Sequence, residues 1–138
     1  MSNVLKAPLA PKKTPTSAPF WEGLSEGQVR LQHCEACQQW VFYPRPRCNH
    51  CLAAALVWKP VSGAATLTSW TQCPRPTAPP FAPLAPQTLA VVTLQEGVRM
   101  STFLLETADR PLTLGMPLAP RFVPTEDGSA VLLAFAPA

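Results

Sequence analysis

The sequence predicts a mainly β protein with a short N-terminal helix, a small cysteine-rich module and a barrel of five strands. Three observations lead to this fold class. Proline accounts for 18 of the 138 residues, which excludes a helical bundle because proline removes a backbone donor and breaks a helix interior. Four of the five cysteines form two CxxC pairs. The second half of the chain contains five β-rich runs separated by turn residues.

The N-terminal part of the chain is predicted as a tail followed by a helix. Residues 1–16 combine proline, lysine and threonine without periodicity, which predicts a flexible tail. Ser17 is expected to be the N-cap of a helix that has Pro19 in its first turn and ends at Gly27. The apolar face of this helix would be formed by Phe20, Trp21 and Leu24.

Short strands are predicted around the two cysteine pairs. From Val29 the hydrophobic period changes to 2, and this run enters the first pair. Residues 40–43 leave the first pair as a strand halted by Pro44, and residues 56–58 leave the second pair as a strand halted by Pro60. The helix and this ribbon together make up a predicted unit over residues 17–60.

Residues 61–138 are predicted to form the barrel. A loop over residues 73–86 contains six prolines and cannot be a central strand. Five strands in about 75 residues, with a long loop after the first, fit a small barrel such as the OB-fold. An irregular antiparallel sandwich is the alternative. The predicted strands cover residues 63–72, 88–95, 98–106, 118–123 and 130–135.

The two CxxC pairs predict a metal site. Ten residues separate the pairs, and each pair can turn two sulfurs to one side of a tight loop. Two such loops supply the four ligands of a tetrahedral zinc ion, so a zinc ribbon is predicted rather than two redox pairs. The four ligands would be Cys34, Cys37, Cys48 and Cys51.

The predicted zinc is structural, because a closed shell of four cysteines leaves no position for a water molecule. Iron in a rubredoxin-type cage is the alternative. His33 and His50 border the ligand cysteines, but four cysteines already complete the shell. Zinc with four thiolates carries a charge of −2, which lowers the formal charge of the chain from +3 to about +1.

Charge and hydropathy limit the functional classes. Three of the eleven basic residues lie in residues 1–19, which leaves eight basic and eight acidic residues in the remainder. A neutral body argues against nucleic-acid binding, which normally uses a basic stripe. The sequence predicts neither a membrane span nor a signal peptide, so we expect a cytoplasmic protein with reduced cysteines.

Three further sets of residues are candidates for function. Arg45 and Arg47 lie in a stiff Pro-Arg-Pro-Arg loop, where they could bind an anionic phosphate or remain solvated. Cys73 lacks a nucleophile–base pattern around it, so we interpret it as a small buried hydrophobe. The large aromatic residues are interpreted as core or interface rather than as a base-stacking platform; they are Trp40, Phe42, Trp58, Trp70 and Phe81.

The order of these elements resembles a known family over roughly residues 18–137. It is similar to the acyl-CoA-associated OB-fold proteins with an N-terminal rubredoxin-like zinc ribbon, long described as a domain of unknown function. In that family a glycine often follows each cysteine pair, whereas Gln38 and Leu52 stand at these positions here. The resemblance is carried by residues 20–21, 27, 29–37, 42–45, 48–51, 58, 62–63 and 67–71.

The resemblance implies a zinc-binding accessory subunit that is not catalytic alone. Such a subunit docks on a thiolase-superfamily enzyme (a thiolase, acyltransferase or aldolase), helps to assemble it and helps to form its acyl-CoA channel. It implies a hetero-oligomer in which acyl-CoA is a shared ligand, and Arg45 and Arg47 would then contact CoA phosphates. The alternatives are a zinc-ribbon and OB-fold module that binds nucleic acid, and an independent enzyme that uses Cys73.

Overall fold

The computed structural model describes residues 5–138 and confirms the predicted fold class. Its elements are a helix, a three-stranded sheet and a closed five-stranded barrel. Among residues 5–138, no helix is long and apolar enough to cross a membrane. In chain order the elements are α1 (Ala18–Ser25), β1 (Val29–Cys34), β2 (Trp40–Val41), β3 (Leu56–Val61), β4 (Ala65–Cys73), a 3₁₀ helix (Pro79–Leu84), β5 (Gln87–Leu94), β6 (Arg99–Leu104), β7 (Pro117–Pro124) and β8 (Val131–Pro137).

The start of α1 differs from the prediction in one respect. Ser17 precedes the helix, but its hydroxyl makes no capping bond to the helix backbone. Instead, the Oγ atom accepts a hydrogen bond of 3.2 Å from the indole Nε1 of Trp21 and lies 2.9 Å from the hydroxyl of Thr14. The helix ends as predicted, because Gly27 takes a φ of +72° that glycine adopts without strain.

The ribbon sheet has the strand order β2-β1-β3, with both neighbours antiparallel to β1. The prediction that Pro60 stops β3 was wrong, because the strand continues to Val61 and Pro60 pairs with Arg30. β3 is an edge strand, so one of its sides forms no hydrogen-bonded ladder and proline is tolerated there. Strand β2 ends at Val41, before the predicted end at residue 43.

The barrel has the strand order β4-β5-β6-β8-β7 and closes between β4 and β7. Alternate residues of β5 are buried, which is the pattern of a strand with one face toward a core. The proline-rich loop is not wholly irregular, because Pro79–Leu84 forms a 3₁₀ helix. A register shift between Leu67 and Ser69 bends β4 where it pairs with β5.

One hydrophobic core joins the helix, the ribbon sheet and the barrel. Leu24 of α1 and Leu31 of β1 are fully buried in the same cluster as Phe135 of β8. The helix and β1 therefore contribute side chains to the same core as the barrel strands. The buried members of this cluster are Phe20, Leu24, Val29, Leu31, Ala65, Leu67, Ala90, Val92, Leu94, Met100, Leu104, Leu118 and Phe135.

The segment predicted as a flexible tail makes one buried contact with the barrel. Residues 1–4 lie outside the described residues. Ala7 is buried, donates to the carbonyl of Pro124 at 2.8 Å and accepts from the N–H of Glu126 at 2.8 Å. These bonds form a parallel bridge between Ala7 and Thr125. Composition could not reveal it, because a single alanine paired at a turn leaves no hydrophobic period.

We expect deletion of residues 1–12 to lower the melting temperature by about 4 °C. The deletion removes two backbone hydrogen bonds and one buried methyl group, which together are worth about 1 kcal/mol. Thermal unfolding followed by circular dichroism measures the shift. The matched control is Lys13→Ala, which removes one exposed hydrogen bond to the carbonyl of Ser129 and should change little. Unchanged unfolding of the truncated chain would show that the Ala7 bridge contributes no stability.

Candidate metal centre

The four predicted ligand sulfurs lie together at one end of the ribbon sheet. All four Sγ atoms are within 4.8 Å of one another. The Sγ atoms of Cys34 and Cys51 are 3.6 Å apart, as are those of Cys37 and Cys48. Four sulfurs about 2.3 Å from a central zinc ion would be about 3.8 Å apart, so this arrangement fits a tetrahedral ion.

The backbone of each cysteine loop follows the same pattern. The N–H of Gln38 donates to the carbonyl of Cys34 at 2.8 Å, and the N–H of Leu52 donates to the carbonyl of Cys48 at 3.0 Å. Gln38 and Leu52 have φ values of +63° and +65°. They occupy the positions where the family resemblance leads to an expectation of glycine, and non-glycine residues are strained in this conformation.

We expect Leu52→Gly to raise the stability of the ribbon by about 0.5–1 kcal/mol. Glycine relieves the left-handed strain, and its extra freedom in the unfolded chain offsets part of the gain. Leu52 is 71% exposed, so the substitution removes little packing. The comparison is Gln38→Gly, which also loses the hydrogen bond from Gln38 Nε2 to the carbonyl of Glu35 and should gain less. Denaturant unfolding of the zinc-loaded protein measures both, and a destabilised Leu52→Gly would contradict the strain argument.

Two of the four cysteines have pKa values far from the ordinary value of a thiol. Burial raises the pKa of Cys37 to about 12, and hydrogen bonds from the other three sulfurs add to the rise. Burial also opposes ionisation of Cys48, but backbone N–H groups of Cys51 and His50 and the neighbouring thiols lower its pKa to about 6. Cys37 would therefore lose its proton only with a positive ion beside it, so metal binding at this site releases a proton.

Neither histidine belongs to the ligand cluster. His33 is buried, and its ring packs edge-on against Trp40 with the ring centroids 4.7 Å apart. Its Nδ1 lies 3.5 Å from Oε1 of Glu35, and Lys59 Nζ lies 3.2 Å from the same oxygen. Hydrogen bonding from Lys59, with a smaller part from His33, holds the pKa of Glu35 below its ordinary value. His50 is exposed on the second cysteine loop.

The two arginines of the Pro-Arg-Pro-Arg loop make local contacts. The buried amide of Gln32 fixes the loop, because it donates to the carbonyl of Arg45 and accepts from its N–H, both at 2.9 Å. Arg45 Nε donates to the carbonyl of Tyr43 at 3.1 Å, and Arg47 Nη1 donates to the carbonyl of Leu52 at 3.1 Å. Each guanidinium keeps further donors, so a role in binding phosphate stays a prediction.

The remaining candidates occupy different environments. Cys73 is half-buried at the end of β4. Trp40, Phe42 and Trp58 pack against the main core, as interpreted from the sequence. Trp70, by contrast, is 38% exposed on the barrel.

Two adjoining surface grooves were not predicted from the sequence. The ribbon-side groove, of about 290 Å³, is lined by residues of α1, the segment that follows β2, β6 and β8, among them Trp21, Tyr43 and Pro44. The barrel-side groove, of about 600 Å³, is lined by residues of β4, the 3₁₀ helix, β5, β6 and β8. Among the described residues, none that lines either groove is charged. Only 14% of the residues are charged, which is a signal for such a surface, but composition does not show its position.

Two family models match consecutive parts of the chain. Residues 21–57 match the rubredoxin-like zinc ribbon domain of ChsH2, and residues 58–123 match the C-terminal OB-fold domain of ChsH2. Among curated proteins, a probable enoyl-CoA hydratase alpha subunit of Thermomonospora curvata is 32% identical over 102 residues. The match covers 72% of this chain but only 31% of that protein, so the chain spans less than a third of its curated relative.

Solved structures support the same assignment. The Ltp2-ChsH2(DUF35) aldolase contains a chain that is 26% identical, with a TM-score of 0.81, over 93% of this chain and 98% of that one. A DUF35-family protein from Sulfolobus solfataricus is 13% identical with a TM-score of 0.62, over 91% and 87% of the two chains, and shares the fold. From its four-cysteine ribbon, its closed barrel and both domain matches, we conclude that this chain belongs to the ChsH2 family of proteins, which join a rubredoxin-like zinc ribbon to an OB-fold domain.

Proposed function

We propose that the chain is a non-catalytic accessory subunit of an acyl-CoA-processing enzyme. It binds one structural zinc ion through Cys34, Cys37, Cys48 and Cys51, and it docks on a catalytic subunit of the thiolase superfamily. In the resulting hetero-oligomer it helps to form the acyl-CoA channel. The zinc ion supplies folding energy to the ribbon and takes no part in a reaction, because the four cysteines complete its shell.

The observation that carries the proposal is the chemistry of the ribbon-side groove. Tyr43 is 54% exposed and lines this groove together with three other aromatic residues, Phe20, Trp21 and Phe42. Protein interfaces are enriched in aromatic residues and depleted of charged residues at their centres. Tyr43 is also held in place, because Arg45 donates to its carbonyl and Gln32 fixes the backbone of Arg45.

The comparisons support a partner of the acyl-CoA class. The similar solved structure is an aldolase in which ChsH2 is paired with a second protein, Ltp2. The curated relative is named a subunit of an enoyl-CoA hydratase. This second name favours a different catalytic partner, so an enoyl-CoA hydratase subunit is the second candidate.

Co-expression tests the proposal. The full chain should co-purify with a thiolase-like protein encoded near its gene, and Tyr43→Ala should weaken the complex about 30-fold, as expected of a central aromatic anchor. Leu114→Ala is the matched control, because Leu114 is 63% exposed and lines neither groove. Assembly with a hydratase subunit instead would favour the second candidate. Tight, salt-sensitive binding of oligonucleotides without any such assembly would favour the nucleic-acid alternative.

A double substitution of Arg45 and Arg47 by alanine tests the CoA contact. If these guanidinium groups bind CoA phosphates, the complex should form normally but bind acyl-CoA about tenfold more weakly. Loss of assembly would assign the two arginines to the protein interface instead.

A further inference from the structure

We propose that the barrel-side groove binds the hydrocarbon chain of a medium- or long-chain acyl thioester. This inference rests on the proposed function, because it names the part of the substrate that the accessory subunit contacts. It also assigns a role to the proline-rich loop of residues 73–86.

The groove has the size and chemistry of a binding site for a small apolar molecule. Its volume of about 600 Å³ lies within the range of ligand pockets, which are mostly apolar with a few polar groups. Within the described part of the chain, its polar lining residues are uncharged. These are Ser69, Thr71, Thr77, Gln87, Ser101 and Thr102.

The outer face of β5 is unusual for a barrel strand. Residues that alternate with the buried ones normally meet water and are polar. In β5 two of these positions are Leu89 and Val91, and both line the groove. Leu89 is paired with Phe103 of β6, which also lines it. The outward side of the sheet therefore presents an apolar floor.

The proline-rich loop builds one wall of the groove. Phe81 of the 3₁₀ helix lines it on this side, and Trp70 of β4 lines it as well. Pro79, Pro80 and Pro83 restrict the backbone of this short helix. A wall that is already fixed loses little conformational entropy when a ligand binds.

The uncharged lining selects one kind of ligand chemistry. The carboxylate of a fatty acid would have no cationic partner among the lining residues of the groove. Burial of an unpaired charge is costly in free energy. The chain of a thioester carries no such charge. An acetyl group would cover only a small part of this apolar surface, so burial of that surface would contribute little binding free energy.

The groove is continuous with the proposed docking surface. Ser101, Thr102, Phe103 and Leu132 line both grooves. A hydrocarbon chain that lies between Trp70 and Phe81 can therefore run toward the catalytic subunit docked at the ribbon side. This arrangement places the reacting end of the substrate on the partner, as a non-catalytic subunit requires.

Titration calorimetry of the purified, zinc-loaded full chain tests the inference. Decanoyl-CoA should bind saturably, whereas acetyl-CoA, free CoA and decanoate should bind at least tenfold more weakly. Phe81→Ala should weaken decanoyl-CoA binding about tenfold, because it removes one aromatic wall. Phe81 belongs to none of the buried clusters, so this variant should fold normally. Leu114→Ala is the control and should bind like the wild type.

Tryptophan fluorescence locates the ligand. Decanoyl-CoA should quench the emission of the wild type, and Trp70→Phe should lose most of this quenching while it retains binding by calorimetry. Equal affinity for decanoyl-CoA and free CoA, equal affinity for decanoyl-CoA and decanoate, or no saturable binding would each overturn the inference. None of these results would affect co-purification with a catalytic subunit, so failure of this site is distinguishable from failure of the proposed function.

Discussion

Replacement of Cys34 or Cys48 by serine should leave the chain free of zinc and unable to fold. Among the described residues, the buried hydrophobic cluster at the site consists of Cys34, Cys48 and Val41, with a few half-buried neighbours. So small a cluster cannot hold the two cysteine loops in place, and metal binding supplies on the order of 10 kcal/mol of folding free energy. That is comparable with the total stability of a typical domain, about 5–15 kcal/mol.

Metal analysis and thermal unfolding of the purified variants measure this effect. Wild-type protein should contain one zinc ion per chain, and a strong chelator should abolish its unfolding transition. Cys73→Ser is the matched control, because Cys73 lies outside the ligand cluster and its loss should leave one zinc ion in a folded protein. A native fold with all four thiols freely titratable would contradict the prediction.

Leu31→Ala should destabilise the whole chain by about 2–5 kcal/mol, the cost of removing a large buried side chain from a core. Leu31 lies in the ribbon sheet but is fully buried in the cluster that contains Val92 and Phe135 of the barrel. The cavity would therefore open between the two parts. We expect faster amide hydrogen exchange in β5 and β8 as well as in β1.

Native-state hydrogen exchange and denaturant unfolding measure the Leu31 effect. The exposed Leu114→Ala should change the free energy of unfolding by less than about 0.5 kcal/mol. Exchange that increases only in the ribbon sheet, with the barrel strands unaffected, would show that the two parts unfold independently.

The sequence predicted the features that depend on local pattern. The CxxC spacing predicted the four-sulfur cluster, since two tight loops with short flanking strands bring four thiols together. Alternation and turn residues predicted the five barrel strands to within a few residues. Gly27 ended the helix because its backbone conformation follows from residue type alone.

Features that depend on tertiary neighbours were not predictable. Pro60 continues a strand because β3 lies at a sheet edge, and the sequence does not show which strands are edges. Ser17 bonds to an indole rather than to the helix because Trp21 happens to lie within reach. Ala7 pairs with a turn more than a hundred residues away. The two grooves likewise form from elements that are distant in the chain.

Barrel closure has a consequence for the order in which the chain folds. The cysteine ligands are all synthesised by residue 51, whereas closure requires Ala65 of β4 to pair with Leu118 of β7, 53 positions later. Pairing across such a separation is slow, because loop-closure entropy is lost before the contact forms. During synthesis the metal-loaded ribbon would therefore form before the barrel closes. Leu24 and Leu31, which are buried in the folded protein, would be exposed to solvent in this interval. The nascent chain is most vulnerable to aggregation, and most dependent on chaperones, in the interval between metal capture and the arrival of the last two strands.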